Sequence, residues 1–577
     1  MKAVTLSLSS LKSELGLEGI LVRFSQKVIY QIYPKSFYDS DGDGIGDLRG
    51  IIAKVPYLSR LNIDMIWFNP FFVSPQRDNG YDIEDYYQID SLFGTMADFD
   101  ELVQALKAVG IDVMLDMVFN HTSTQHEWFQ KALAGDPEFQ QYYYIRPAKA
   151  DGTPPTNWQS KFGGSAWAPF GETGQYYLHL YDQSQADLDW HCPAVRQACA
   201  NIINYWQSKG VRGFRFDVIN VIGKDVELLD APPAMSSKLL YTDRPIVHDY
   251  LQELNAASFG RHPHDITVGE LSSATLANSI AYTQPDRHEL SMVFNFHHLK
   301  VDYDHGNKWT DRQFDFMALK KIINDWAQGM AAADGWQALF WNNHDQPRAV
   351  NRFGDVVHYR EKSAEMLATV MHLLRGTPFI YMGEEIGMTD PQYHQIEDYV
   401  DIESHNAYRQ LRAQGHGDRA AFHLVHVKSR DNARTPMQWD ESPKTAGFTT
   451  GTPWLKPTNQ ATINVTDELA HGEIFSYYQR LIQLRKQLTV ISDGDYQPLF
   501  LDHPQVLAYL RTTSQQQVAV LNNFFGRKTT VELPPEFVGA TVLISNYGTT
   551  VAGNAVILQP YESIALLRDL NKGGDSR

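Results

Sequence analysis

The sequence predicts an α/β protein: a (β/α)8 TIM barrel with an inserted lobe after the third strand and an antiparallel β domain at the C-terminal end. Eight short apolar segments have the length of strands buried on both faces, and they alternate with helical segments as repeated βα units require. Several of these segments end in a carboxylate. Because α/β barrels hold their chemistry at the carboxyl edge of the sheet, the pattern predicts one mouth lined by acids.

Each barrel strand is predicted from an apolar run that is bounded by polar or turn-forming residues. In chain order the runs are VIYQIYP (from Val28), IDMIWFN (from Ile63), IDVMLDMVFN (from Ile111), GFRFDVI (from Gly213), ITVGEL (from Ile266), ELSMVFNF (from Glu289), WQALFWNNHD (from Trp336) and TPFIYMGEE (from Thr377). Eight such strands are enough to close a barrel.

Two departures from the βα repeat predict further segments. The stretch between the third and fourth strands is too long for a loop and a helix, and its text PPTNWQSKFGGSAWAPF is typical of an irregular lobe that overhangs the mouth. Near the C-terminus, short alternating runs such as QVLAYLRTT and QQVAVLNNF predict antiparallel strands. The predicted boundaries are 1–26 for an N-terminal extension, 27–121 and 191–490 for the barrel, 122–190 for the lobe, and 491–577 for the β domain.

Composition limits the class of protein. A chain of 577 residues with 43% hydrophobic content exceeds a single core and predicts two or three domains. Its formal charge of -18 argues against nucleic acid as a partner. The N-terminal text has no unbroken apolar stretch, and no later run is long enough to span a bilayer, so we expect a cytoplasmic protein without a membrane partner. Oligomeric state stays open.

The two cysteines are expected to be free thiols. Cys192 and Cys199 lie seven residues apart on a predicted helix. The helical rise separates their α-carbons by about 10 Å, which is too far for a disulfide.

Three carboxylates each follow an apolar run: Asp217 in GFRFDVIN, Glu270 in ITVGEL, and Asp345 in WNNHDQPR. Taken singly, each acid has an ordinary explanation as a salt bridge at the barrel rim or a helix cap. Together they favour glycoside cleavage, in which one carboxylate attacks the anomeric carbon and a protonated one donates to the departing oxygen. That chemistry needs no cofactor.

Each acid has a neighbour that suits it for this reaction. Arg215 precedes Asp217 by two residues, so in a strand it faces the same side and keeps that carboxylate ionised. Gly269 leaves room for close approach of a sugar beside the second acid. His344, next to the third acid, offers a donor for ring hydroxyls.

Four blocks carry a resemblance to a known family: DMVFNH, GFRFDV, VGE and NHD, in this order along the chain. The chain resembles glycoside hydrolases of the α-amylase superfamily. That resemblance implies Asp217 as nucleophile, Glu270 as general acid/base, and Asp345 as the acid that distorts and positions the sugar. It further implies a set of residues around the first glucose and, in the RTPMQW segment, one on the leaving-group side: Tyr81, Asp82, His121, Arg215 and His344, and then Arg434.

A loop rich in aspartate, DSDGDGIGD, predicts a calcium site. Hard oxygen ligands at alternate positions can wrap Ca²⁺, with one backbone carbonyl as a further ligand. The candidate ligands are Asp39, Asp41, Asp43, Asp47 and the carbonyl of Ile45. The twelfth position is Gly50 instead of the Glu of an EF-hand, so a true EF-hand is not expected. The alternative is a polar turn without metal. Relatives with this loop bind calcium far from the reacting bond, which implies a structural role.

Val218, directly after Asp217, indicates which type of glycosidic bond is cleaved. It resembles the branch of the family that cleaves α-1,6 or α,α-1,1 bonds, whereas α-1,4 maltases usually carry a smaller or polar residue there. The alternative explanation is a β-branched residue that suits a strand.

Cations near the predicted mouth favour a phosphorylated substrate. The segment FNFHHLKVDYDHGNKW, after the sixth strand, places His298, Lys300 and Lys308 there, and Lys35 in YPKSF is a weaker candidate. Lysine and histidine donate charge-assisted hydrogen bonds to phosphate oxygens. A single lysine is more often a solvated surface charge, so the cluster carries the argument. The segment, with VINVIGKD and PTNWQSKFGGSAW, is similar to family members that act on trehalose 6-phosphate.

The sequence therefore predicts a retaining hydrolase whose substrate is a phosphorylated disaccharide, with release of glucose and glucose 6-phosphate. The nearest alternative is an oligo-1,6-glucosidase or dextran glucosidase acting on isomaltose-like sugars, which shares Val218 and the three acids. A second is a sucrose isomerase or glucosyltransferase. A third is a non-catalytic amylase-like subunit of a membrane transporter, which would be expected to lack the acids.

Overall fold

The computed structural model describes residues 24–551 and 553–570. Of the predicted N-terminal extension, only residues 24–26 fall within them, as a single 3-10 turn. In chain order the strands are β1 (Ile29–Ile32), β2 (Met65–Phe68), β3 (Phe72–Val73), β4 (Asp85–Ile89), β5 (Asp112–Met117), β6 (His121–Ser123), β7 (Ile145–Pro147), β8 (Trp167–Pro169), β9 (Gln175–Leu178), β10 (Gln185–Asp187), β11 (Gly213–Phe216), β12 (Ile266–Glu270), β13 (Met292–Phe294), β14 (Ala338–Leu339), β15 (Thr377–Tyr381), β16 (Asp495–Leu499), β17 (Val506–Thr512), β18 (Gln516–Asn523), β19 (Thr529–Glu532), β20 (Thr541–Ser545), β21 (Ala555–Leu558) and β22 (Ser563–Asp569).

Helices cover the outside of the sheet and extend past its last strand. They are α1 (Leu48–Ala53), α2 (Val55–Leu61), α3 (Met96–Ala108), α4 (Glu127–Leu133), α5 (Pro137–Gln140), α6 (Pro193–Ser208), α7 (Ile246–Ala257), α8 (Leu276–Thr283), α9 (Phe316–Ala332), α10 (Ala349–Phe353), α11 (Arg360–Leu373), α12 (Ile402–Ala413), α13 (Asp418–His426), α14 (Asp431–Arg434), α15 (Val465–His471), α16 (Ile474–Gln487) and α17 (Thr489–Ser492). Within the described residues, no helix combines the length and apolar character needed to cross a bilayer.

The barrel confirms the predicted fold class. Its eight parallel strands follow the order β13, β12, β11, β5, β2, β1, β15, β14. A parallel bridge between Val293 and Gln337 joins the two ends of this order and closes the sheet. The strands β1, β2, β11 and β15 are buried along their whole length, as expected for strands that have side chains on one face and helices on the other.

Local sequence also explains where helices begin. The helix α3 starts after Thr95, whose hydroxyl accepts a hydrogen bond from the backbone of Asp98, while the Asp98 carboxylate accepts one from the backbone of Thr95. This capping box satisfies two amides that the first turn leaves unpaired. The same helix then buries Phe99 and Leu102 against the sheet.

The inserted lobe leaves the barrel after β5 and returns before β11. It contains an antiparallel pair, β6 with β10, and a three-stranded sheet in the order β7, β9, β8. A buried ion pair ties the lobe to the barrel, because Lys224 Nζ lies 2.9 Å from Asp187 Oδ2 and both side chains are fully buried. Lys224 also donates to Asn120 Oδ1 at 3.1 Å.

The C-terminal domain is an antiparallel sheet in the order β16, β17, β18, β22, β20, beside a second pair formed by β19 and β21. It docks on α11 through polar contacts as well as apolar ones. Arg511, fully buried, donates to the carbonyl of Leu373 at 2.8 Å, and the hydroxyl of Tyr509 donates to the carbonyl of Val370 at 3.2 Å. The residue boundaries given above for the four segments stay a prediction.

The Lys224–Asp187 pair predicts a strong dependence of stability on one buried charge. Lys224→Met leaves the buried Asp187 carboxylate without a cation, which costs about 3–5 kcal/mol. We expect a large fall in the urea concentration at the midpoint of unfolding, measured by intrinsic fluorescence.

Lys149→Met is the matched control. Lys149 also joins the lobe to the barrel, through Asp230 at 2.7 Å, but the two side chains are 40% and 50% exposed. Such a pair contributes less than about 1 kcal/mol. Equal shifts of the midpoint in the two variants would contradict the proposed role of the buried pair.

Candidate active site

Strand register brings two of the three predicted acids together. Phe216 on β11 is paired with Gly269 on the neighbouring parallel strand β12. Asp217 and Glu270 therefore occupy the next position on each strand, at the carboxyl edge of the barrel. Asp345 follows β14 after a short segment and reaches the same mouth, where it lies near arginines described below.

Arg215 connects the two strand-end acids. Its guanidinium donates to Asp217 Oδ1 at 2.8 Å and to Asp116 Oδ1 at 2.6 Å, and its second terminal nitrogen contacts the Glu270 carboxylate. Burial opposes the charge of Arg215, but the carboxylates of Asp116 and Asp217 outweigh it and raise the pKa of Arg215 above its usual range. The site therefore holds a permanent cation between its acids.

Asp345 is held by two further arginines. Arg434 lies 2.7 Å and Arg430 lies 3.5 Å from its Oδ1 atom. Burial raises the pKa of Asp345, but His344, Arg430 and Arg434 together hold it well below the usual range, so the carboxylate is ionised at neutral pH. Arg434 was predicted on the leaving-group side. Its side chain is only 2% exposed, and it supports Asp345 from beneath.

His344 is a neutral hydrogen-bond donor. Burial lowers its pKa to about 3, so the ring is uncharged at neutral pH. The Gln31 side-chain nitrogen donates to Nδ1 at 3.0 Å, which leaves the proton on Nε2. From there it donates to the hydroxyl of Tyr81 at 2.9 Å. The His344 ring also stacks on Tyr81, with centroids 5.5 Å apart and planes 7° from parallel.

Asp116 is a buried acid to which sequence reasoning assigned no role, although it opens the DMVFNH block. Its carboxylate accepts hydrogen bonds from Tyr81 at 3.0 Å and from Trp67 at 3.2 Å, in addition to Arg215. Burial raises the pKa of Asp116 to about 7 despite the neighbouring guanidinium of Arg215. It fixes Tyr81 and Arg215 from beneath the mouth.

Asp82 was predicted beside the first glucose, and the structure places it elsewhere. Its side chain is fully buried, and its carboxylate accepts hydrogen bonds from Ser74 and from the backbone of Arg77 and Asp78, each at 3.0 Å. It thus stabilises the loop from inside. The residue of that loop that lies at the mouth is Asp78, whose carboxylate is 4.0 Å from Arg430. Burial raises the pKa of Asp78 to about 7.

The lobe completes the wall of the site. Gln185 on β10 contacts Asp78 Oδ2 at 3.1 Å and the His121 ring at 3.2 Å. His121 packs on Tyr181 of the lobe, with ring centroids 5.3 Å apart, and burial lowers its pKa. Gln185 was missed because its contacts with Asp78 and His121 depend on how the lobe folds back onto the barrel.

Val218 is not part of a strand. The strand β11 ends at Phe216, and Val218 has φ 38° and ψ 39° in the left-handed region. A β-branched residue adopts this conformation at a cost of about 1–3 kcal/mol. Its side chain packs against the lobe, in a cluster with Tyr144 and Trp158. Strand propensity therefore does not explain why valine occupies this position.

The four predicted phosphate ligands divide into two groups. Lys300 Nζ lies 3.4 Å from Ser273 Oγ, on the loop that follows Glu270. Lys308 forms an ion pair with Glu403 at 2.7 Å, and its charge contributes to the lowered pKa of Asp345. These two are at the mouth.

Lys35 and His298 differ from that pair. Lys35 donates to Asn79 at 3.2 Å and lies 4.4 Å from the centre of the Trp454 ring, and burial lowers its pKa to about 8. His298 does not face the mouth. It donates to the carbonyl of Phe340 at 2.9 Å and lines a cavity of about 50 Å³ between the barrel and α9, where burial lowers its pKa to about 3.

The aspartate loop gathers three of its four carboxylates. One oxygen from each of Asp39, Asp41 and Asp43 lies within 4.8 Å of the others. Burial raises the pKa of Asp43, and the other two carboxylates raise it further, so the group is suited to a cation. Asp47 does not join them. Its carboxylate caps α1 through the backbone of Gly50 at 2.6 Å.

The loop gathers carboxylate oxygens from three acids instead of the four predicted. The carboxylate of Asp39 also accepts a hydrogen bond from the backbone of Gly44 at 2.8 Å. For Ile45, the structure shows a backbone amide that donates to Asp43 at 2.8 Å.

Comparison with known proteins covers nearly the whole molecule. The family described as "Alpha amylase, catalytic domain" matches residues 31–494, and "Alpha-amylase SusG C-terminal domain" matches residues 506–565. A trehalose-6-phosphate hydrolase of Bacillus subtilis is 46% identical over 548 residues, which cover 94% of this chain and 97% of that protein. An oligo-1,6-glucosidase of Parageobacillus thermoglucosidasius is 45% identical over 556 residues, which cover 94% of this chain and 98% of that protein.

A solved structure agrees with these relatives. The crystal structure of a trehalose-6-phosphate hydrolase of Bacillus licheniformis matches with a TM-score of 0.91 and 48% identity, over 94% of this chain and 99% of that chain. The match of the catalytic domain and the shared fold lead to one conclusion: the chain belongs to the α-amylase family of glycoside hydrolases.

Proposed function

We propose that this protein hydrolyses trehalose 6-phosphate to glucose and glucose 6-phosphate with retention of configuration. The observation that carries the proposal is the position of Lys300, whose ammonium lies beside Ser273, three residues after the acid that protonates the leaving group. A cation at this point is suited to a phosphate on the departing sugar. Relatives and a solved structure named as trehalose-6-phosphate hydrolases support the same substrate.

The chemistry follows from the arrangement of the acids. Asp217 attacks the anomeric carbon of the unphosphorylated glucose and forms a covalent glucosyl ester, while Glu270 gives its proton to the bridging oxygen and glucose 6-phosphate leaves. Glu270 then removes a proton from water, which attacks the same carbon and frees glucose with Asp217 restored. Hydrolases of this family need no cofactor for this reaction.

The remaining residues position the sugar. Arg215 orients the Asp217 carboxylate for attack, because it donates a hydrogen bond to it at 2.8 Å. His344, whose Nε2–H donates to the Tyr81 hydroxyl, holds the Tyr81 side chain in place. Asp345, held ionised by Arg434, accepts hydrogen bonds from ring hydroxyls. These contacts strengthen as the ring flattens toward the oxocarbenium-like transition state.

The second candidate is an oligo-1,6-glucosidase that acts on isomaltose-like sugars. Two observations favour it: an oligo-1,6-glucosidase is 45% identical to the chain, and Val218 is the residue typical of the branch that cleaves such bonds. Rates on isomaltose and on trehalose 6-phosphate, measured side by side, separate the two candidates.

We also propose that the aspartate loop binds Ca²⁺ through Asp39, Asp41 and Asp43. The ion would offset the repulsion among three carboxylates in one tight turn. Hydrogen bonds from Thr449 and from the backbone of Gly42 and Gly44 already order this loop.

A cytoplasmic location is part of the proposal. Cys192 and Cys199 are both free thiols, and unpaired cysteines are typical of reducing compartments. A phosphorylated disaccharide is also charged, so it is kept inside the cell by the membrane.

Replacing the nucleophile should remove activity and leave the fold intact. Asp217→Asn is isosteric and cannot form the glucosyl ester, so we expect kcat to fall by roughly four orders of magnitude or more. The readout is glucose released from trehalose 6-phosphate, together with a thermal melt that shows an unchanged fold. Turnover within about ten-fold of wild type would refute the assignment of the nucleophile.

Removing the two lysines at the mouth should weaken phosphate recognition specifically. For Lys300→Ala with Lys308→Ala, we expect the KM for trehalose 6-phosphate to rise roughly 10- to 100-fold. The KM for a neutral aryl α-glucoside should stay within about three-fold, because that substrate has no phosphate to bind. Equal effects on both substrates would count against phosphate recognition by this pair.

Removal of calcium should affect stability more than catalysis. With a chelator in excess, we expect a lower thermal midpoint, since an ion that binds only the folded state stabilises it by mass action. Turnover below the midpoint should persist, because no catalytic acid belongs to the loop. Asp41→Asn with Asp43→Asn should abolish the response to chelator; an unchanged melting curve for the wild type would reject the site.

A further inference from the structure

Two lysines, Lys161 and Lys300, contact the loop that follows Glu270, and the charge of exposed Lys238 acts on both; we call the three the lysine triad. Lys161 Nζ lies 3.5 Å from Ser272 Oγ, and Lys300 Nζ lies 3.4 Å from Ser273 Oγ. The two ammonium groups therefore flank consecutive residues of one loop.

Lys238 brings a third positive charge to the same place. For both Lys161 and Lys300, burial is the main cause of a lowered pKa, and the charge of Lys238 is the next. Burial and repulsion lower the pKa of Lys161 to about 7. The charge of Lys238 thus disfavours the protonated forms of Lys161 and Lys300.

No carboxylate neutralises this cluster. Among residues 24–551 and 553–570, none of the three ammonium groups forms an ion pair; the polar contacts of Lys161 are the hydroxyls of Tyr181, at 2.9 Å, and Ser272. Other lysines nearby are paired, Lys308 with Glu403 and Lys224 with Asp187. Lys161 is half-buried, and Lys238 and Lys300 are exposed. Positive charges held close together without an anion repel one another, so the arrangement is suited to an anion that arrives with a ligand.

The position of Lys161 decides which part of a ligand it meets. It belongs to the lobe, between β7 and β8, and the negative charge of Asp217 is near enough to its ammonium group to raise the pKa of Lys161. Ser272 follows Glu270 by two residues, so Lys161 lies on the side of the acid that protonates the departing oxygen. An anion held between Lys161 and Lys300 would therefore belong to the leaving group.

We propose that the lysine triad forms a clamp for the phosphate of the leaving sugar, with Lys161 of the lobe as a specificity-determining residue. The inference rests on the proposed function and deepens it by naming the ligands of the phosphate. The hydroxyls of Ser272 and Ser273 supply further donors. A neutral disaccharide would leave the ammonium of Lys161 buried and unpaired, so the clamp also selects against substrates without phosphate.

Lys161→Met tests the clamp, because methionine keeps the apolar stem and removes the charge. We expect the KM for trehalose 6-phosphate to rise roughly 10- to 100-fold. The kcat/KM for p-nitrophenyl α-glucoside should stay within about three-fold of wild type, since its leaving group bears no phosphate. Lys161→Arg should restore part of the lost affinity.

Two further variants serve as a matched control and as a second test of the clamp. Lys149→Met, in a lobe lysine that pairs with exposed Asp230, should leave both kinetic parameters unchanged. Lys238→Met changes an exposed residue of the triad, so it reports on the clamp even if the Lys161 variant folds poorly. We expect it to raise the KM for the phosphorylated substrate in the same direction as Lys161→Met.

The outcomes separate this inference from the proposed function. If the wild type releases glucose 6-phosphate from trehalose 6-phosphate while folded Lys161→Met and Lys238→Met keep its KM, the clamp assignment is overturned and the proposed function stands. If both substrates lose affinity equally, the lysines act on the general shape of the site and the clamp is again overturned. If the wild type does not turn over trehalose 6-phosphate, the proposed function falls and the clamp falls with it.

Discussion

The buried guanidinium of Arg215 is the interaction on which the rest of the site depends. It contacts Asp116, Asp217 and Glu270, which come from three adjacent strands of the barrel. Without a cation between them, carboxylates in so dry a place would repel one another and take up protons. With it, the two strand ends are joined through one guanidinium, and the nucleophile is held by a hydrogen bond from that group. The register of β5, β11 and β12 places this arginine directly opposite Asp116.

The layer beneath the mouth shows how burial sets the protonation of each group. His344 is buried and neutral, and its proton is fixed on Nε2 by the amide of Gln31. Asp345, a neighbour of the same histidine, is kept ionised by two arginines. Adjacent groups thus hold different protonation states because their partners differ, and the sugar meets a fixed set of donors and acceptors.

Sequence reasoning was most successful where local pattern and position along a strand decide the outcome. Apolar runs predicted the eight strands, and the acids that follow some of them predicted that Asp217 and Glu270 lie side by side, because parallel strands end at the same edge of a barrel. It was least successful where the conformation of a loop determines which of two similar residues lies in the site. Asp82 and Asp78 flank one tight turn, and only the conformation of that turn decides which carboxylate faces the mouth of the barrel and which is buried inside the loop. His298 illustrates the same limit, since a short 3-10 turn directs it behind the barrel. The part played by Lys161 depends on the folded lobe, which has no local signature.

The lobe is one continuous segment that leaves the barrel after β5 and rejoins it before β11. It contributes Gln185, Tyr181 and Lys161 to the wall of the mouth, whereas every acid that acts on the anomeric carbon belongs to the barrel. The lobe thus adds to the selectivity of the site, which it shares with barrel residues such as Lys300, and it takes no part in the bond cleavage itself. Substitutions within this single insert would therefore alter how the leaving sugar is held without disturbing the scaffold that carries the acids.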